Sequence, residues 1–113
     1  MRIFFFTKTK SMIRKYVSDL TKLGFNRNMV KKESKKFKKY NGTYDPITKN
    51  VFVNLENITI HSSVDEIPDE VMRIVNHETI HHIIYKNLGF GISFEKQHWL
   101  IGKLGYGRLK CLR

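Results

Sequence analysis

The chain has 113 residues, 41% of them hydrophobic, with 21 basic and 10 acidic side chains and a formal net charge of +11. That length makes one domain with a single core, and the charge draws the molecule towards polyanions at low salt without by itself establishing a nucleic-acid function. No apolar run reaches the length of a membrane span, and the single cysteine, Cys111, excludes an internal disulfide framework, so the expected compartment is the reducing cytoplasm.

Residues 1–7 contain Arg2-Ile3-Phe4-Phe5-Phe6, a short β-prone run that reads as a strand or an apolar anchor. It is too short for the core of a signal peptide and lacks a cleavage site. Residues 11–23 predict a helix. Ile13, Tyr16, Val17, Leu20 and Leu23 recur at three- and four-residue steps, Ser11 is the expected cap, and Gly24 the stop. Residues 28–40 form a basic block in which Val30, Phe37 and Tyr40 turn inward and Lys31, Lys32, Lys35, Lys36, Lys38 and Lys39 turn outward. The plain reading is a solvated helix face. The sharper one is weak, non-specific polyanion binding through Lys31 to Lys39, because arginine, the better reader of base edges, is sparse there.

Residues 41–55 predict a hairpin. Thr43-Tyr44 ends one arm, Asp45-Pro46-Ile47-Thr48 supplies turn residues, and residues 50–55 make the second arm, with Val51, Val53 and Leu55 on one face and Phe52 on the other. Ile58-Thr59-Ile60-His61 reads as an extension or a further short strand. An exposed strand edge there would accept an extended peptide.

Residues 71–88 are the longest apolar-periodic segment, and they enclose His77-Glu78-Thr79-Ile80-His81. Ser63 or Asp65 is the expected cap, Pro68 suits a first turn, Asp69 and Glu70 complement the positive helix end, and Gly89 is the stop. Apolar residues cover most of the circumference, which predicts a buried central helix. On a helix, residues four apart lie on one face about 5–6 Å apart at Cβ, so His77 and His81 can share one zinc ion at about 2.0–2.1 Å. Glu78 lies round the side, where it can reach a water on the metal as a general base.

Residues 90–92 are a glycine-flanked loop, and residues 93–104 predict a last helix opened by Ser93. A catalytic zinc takes three protein ligands and leaves one open position. The third ligand must come from outside the motif, and this helix is the best source, through Glu95 or His98. Glu95 is preferred, leaving His98 to orient a ligand or to hydrogen-bond the substrate oxygen in the transition state. His82, more than 90° round from His81, reads as structural, His61 as a loop residue, and Tyr85 as a core or rim tyrosine.

The sequence His77-Glu78-Thr79-Ile80-His81, followed after a two-glycine loop by Glu95 on a new helix, resembles a zincin metallopeptidase of the gluzincin type. The small size and the hairpin before the motif helix resemble the minigluzincins, minimal soluble scaffolds similar to catalytic domains of integral-membrane metallopeptidases. The resemblance spans roughly residues 40–104. It implies one zinc ion on His77, His81 and Glu95, with Glu78 as general base and acid in peptide-bond hydrolysis, and with His98 or Tyr106 in the transition-state role. The substrate is then a peptide or protein. No third histidine follows His81 at a six-residue step, so a metzincin reading is not supported.

The expected fold class is α+β, a small single zincin-like domain of about three to four helices packed with a short antiparallel sheet or hairpin. It divides into an N-terminal helical part (1–40), hairpin (41–62), active-site helix (63–88), glutamate helix (93–104) and C-terminal tail (105–113). The tail carries Cys111, a potential zinc ligand, and folding it back over the open metal position would make the chain a latent enzyme. The alternative function is a zinc-stabilised, basic nucleic-acid-binding module without catalysis.

Overall fold

The computed structural model describes residues 1–105. Three strands and five α-helices follow in the order β1 (Arg2–Phe6), α1 (Thr9–Lys22), α2 (Arg27–Phe37), β2 (Gly42–Asp45), β3 (Asn50–Asn54), α3 (Leu55–His61), α4 (Ile67–Leu88) and α5 (Phe94–Lys103). The α+β class expected from the sequence is what the chain adopts. The sheet is mixed, in the order β1-β3-β2. β2 and β3 form the expected antiparallel hairpin, and β1 adds to β3 in parallel, with Arg2 opposite Asn50 and Phe6 opposite Asn54.

The hairpin turn is built by Asp45. Its Oδ1 accepts from the Ile47 N–H at 3.0 Å, its Oδ2 accepts from the Thr48 hydroxyl at 2.6 Å, and its carbonyl accepts from the Lys49 N–H at 2.8 Å. Closing the turn places Lys49 at φ 60°, in the left-handed region.

Side chains alternate along β3, so the sheet is buried on both faces. Phe52 packs with Met12, Tyr16 and Leu20 of α1 and Val30 and Phe37 of α2. Tyr16 and Phe37 stack at 3.9 Å with an interplanar angle of 1°, and both meet Phe52 edge-on. On the opposite face Val51 and Val53 pack with Tyr44, Ile58 of α3 and Ile74 of α4. The result is three layers, with α1 and α2 on one side of the sheet and α3 and α4 on the other.

Several local expectations change. Leu55 and residues 58–61 are helical, because the buried Asn54 caps α3 by accepting from the Asn57 N–H at 3.2 Å. Lys8, not Ser11, precedes α1, while Gly24 ends it at φ +85° as expected. A short 3₁₀ turn, Val64–Glu66, stands where Ser63 or Asp65 was to cap the motif helix. Pro68 sits in its first turn and Gly89 terminates it at φ +66°. The motif helix is not buried all round. Ile74, His77, Glu78, His81 and Ile84 face inward, whereas Met72 and Ile83 are exposed, because α4 has the sheet and α5 on one side only. β2 lies at the sheet edge, yet all four of its residues are buried, so the hairpin presents no exposed edge. No helix among the described residues is long and apolar enough to cross a membrane.

Candidate metal centre

α4 places His77 and His81 one turn apart on its inward face, both nearly inaccessible. Their Nε2 atoms converge to 3.2 Å. Two nitrogens bound to one tetrahedral ion at about 2.0–2.1 Å stand about 3.3 Å apart, so this separation is that of a ligand pair.

The third residue is His98 of α5. One ligand atom from each of His77, His81 and His98 lies within 4.8 Å of the others. Its ring centroid is 5.4 Å from that of His77 and 5.1 Å from that of His81. His98 Nε2 is buried and has no hydrogen-bond partner among the described residues. A buried ring nitrogen costs free energy unless something satisfies it, and a metal ion shared with the two neighbouring imidazoles does so. The donor set therefore fits a divalent cation.

Glu95, the preferred third ligand in the sequence, does not join this group. It is exposed on the first turn of α5. Gln97 and Ile101 are the buried residues of that helix, and Glu95 lies two positions before Gln97, about 200° round the axis. His98, expected to act on the substrate, is the residue that stands with the two motif histidines instead. Ser93 does cap α5, accepting from the Lys96 N–H at 3.3 Å.

Gln97 orients the site. Its Nε2 donates to the Ile92 carbonyl at 3.2 Å, which fixes the amide so that Oε1 faces His81 Nδ1 at 2.8 Å. His81 Nδ1–H donates to that oxygen, and the His81 Nε2 lone pair is left directed at the cluster. Phe94 packs against two of the three rings. It stacks on His81 at 5.4 Å and 9° and meets His98 edge-on at 4.2 Å. Neither Gln97 nor Phe94 is singled out by the sequence motif. The available signal was the 94/97/98/101 stripe, which has the spacing of one helix face.

Glu78 is fully buried, with Oε1 3.9 Å from His77 Nε2. That distance sets a carboxylate beside the cluster without making it a fourth member. His82 points elsewhere, as expected of a structural residue, and lies 2.8 Å through Nδ1 from the Tyr44 hydroxyl. Burial, reinforced by the positive N-terminus, Lys86 and Lys49, lowers the His82 pKa. Burial, reinforced by Asp45 and Tyr85, raises that of Tyr44 to about 12. Tyr85 stacks on Tyr44 at 5.8 Å and meets Phe90 at 5.2 Å. His61 is exposed at the end of α3. Tyr106, Cys111 and the proposed inhibitory tail lie outside the described residues.

No protein-family model, curated protein or solved structure matches this chain.

Proposed function

We propose that this chain is a metal-dependent peptidase, with zinc held by His77, His81 and His98 and with Glu78 as the proton carrier. The observation that supports it is the convergence of three imidazoles beside a buried carboxylate. Imidazole ligands suit zinc, and three of them leave the open position of a catalytic site. The H-E-x-x-H resemblance implies peptide bonds as the substrate class.

A bound divalent ion supplies Lewis acidity, acidifying water and polarising a carbonyl. Glu78 takes a proton from the attacking water and passes it to the departing amine. Gln97 holds His81 in one tautomer through both steps, and Phe94 stacks on the His81 ring. A purely structural centre has no use for a base at Glu78 and fills its fourth position with another protein ligand.

The test is Glu78→Gln, with zinc content read by mass spectrometry and cleavage read on a fluorogenic peptide library. Zinc stays stoichiometric, and cleavage falls by about 10²–10⁴-fold. A variant that cleaves as fast as the parent removes Glu78 from the mechanism.

A further inference from the structure

The charge of this molecule is divided between its layers. Thirteen of the 21 basic side chains but only two of the 10 acidic ones fall in residues 1–40, so this stretch carries the whole net +11 and the rest of the chain balances to zero. In the fold this stretch is β1 with the α1–α2 layer, on the face of the sheet opposite α4 and the histidine cluster. The two acids there are Asp19, already engaged by Lys15 at 2.9 Å and by Asn50 at 3.4 Å, and Glu33. Two carboxylates cannot balance thirteen cations, and the surplus repels itself at a cost in stability. A polyanion removes that cost and gains counterion release.

We infer that the α1–α2 layer is a docking surface for the phosphate backbone of nucleic acid. Arg27, Lys31 and Lys35 are exposed at four-residue steps along α2, so they form one row with about 6 Å between neighbours. Arg27 and Lys31 also border an open cleft of about 750 Å³ between the helices, whose other walls include Asn28, Val17, Phe25 and Val30. Cations beside a cleft with an aromatic wall suit a sugar–phosphate chain and accept any base sequence. An anionic bilayer is the poorer occupant. Surface helices that bind membranes insert an apolar stripe, and here Met12, Tyr16, Leu20, Val30 and Phe37 are turned into the core, which leaves Leu23 and Met29 exposed but no stripe. The surface is independent of whether metal is bound, and on this geometry a polyanion leaves the histidine cluster on the free side.

The experiment is fluorescence anisotropy of the full chain with a labelled 20-nucleotide single strand and a 20-base-pair duplex, from 50 to 200 mM salt. K31E/K35E is compared with K86E/K96E, which removes the same charge from exposed positions on α4 and α5. Vesicles containing phosphatidylserine are the second ligand. The expected result is salt-dependent binding of the oligonucleotides, weakened at least 10-fold by K31E/K35E and no more than about 3-fold by the control, with the duplex salt slope reduced by about 2. K31Q/K35Q weakens binding in the same direction. Equal losses in the two charge-reversed pairs show attraction to net charge alone and overturn the proposal. So does binding to vesicles with none to either oligonucleotide.

Discussion

Alanine at position 98 separates the two readings of the third ligand. In the structure His98 stands with the pair formed by His77 and His81 and has a buried Nε2 without a partner among the described residues, while Glu95 is exposed on the first turn of α5. Zinc sites with four protein ligands bind with about 10–16 kcal/mol at pH 7, which apportions to about 2.5–4 kcal/mol per ligand. His98→Ala leaves two imidazoles, so zinc affinity should fall by about 10²–10³-fold. Glu95→Ala changes an exposed side chain and should leave affinity within about threefold. The assay is competition with a chromophoric chelator at pH 7, with circular dichroism confirming the fold of each variant. A Glu95→Ala loss as large as that of His98→Ala, or an unchanged His98→Ala, refutes the three-histidine centre.

Gln97→Ala should weaken zinc binding by about 10–100-fold in the same titration, because His81 loses the acceptor that fixes its tautomer. A Cβ at Gly42 would collide with Cγ2 of the buried Ile74, so Gly42→Ala should destabilise by about 1–3 kcal/mol, read as a lower urea midpoint. An unchanged midpoint would show that α4 does not seat on β2 this closely. Tyr44, whose folded pKa of about 12 exceeds its ordinary 10.0, adds stability that is complete below pH 10 and is lost as pH rises through 12. Urea midpoints between pH 9 and 12 should fall less steeply in Tyr44→Phe, and equal slopes would count against the assignment.

The parts of the site that were legible in the sequence are those set by local geometry. The i, i+4 spacing of His77 and His81 makes a ligand pair in any helix, and Gly89 and Pro68 bound that helix whatever packs on it. The Asp45 turn and the two faces of β3 were readable for the same reason. The third member of the cluster was not. Glu95 and His98 both sit on α5, and the choice depends on which way that helix rolls against α4. Ile101 decides the roll by burying its side chain, and it carries Gln97 and His98 inward with it. The parallel partner of β1 was equally hidden, since nothing in Arg2-Ile3-Phe4-Phe5-Phe6 names a strand 48 residues away. Leu55 and residues 58–61 carry an apolar alternation that reads as a strand, and the cap at Asn54 overrides it.

That distant pairing has a consequence for how the molecule is made. Emerging from the ribosome amino end first, the opening strand finds no neighbour until Asn54 has cleared the exit tunnel. Until then Phe4, Phe5 and Phe6 must travel without a sheet to join, beside two cationic helices whose mutual repulsion discourages clumping. Closing the register is a late event of high sequence separation, so substitutions in β1 should slow folding less than substitutions in the hairpin.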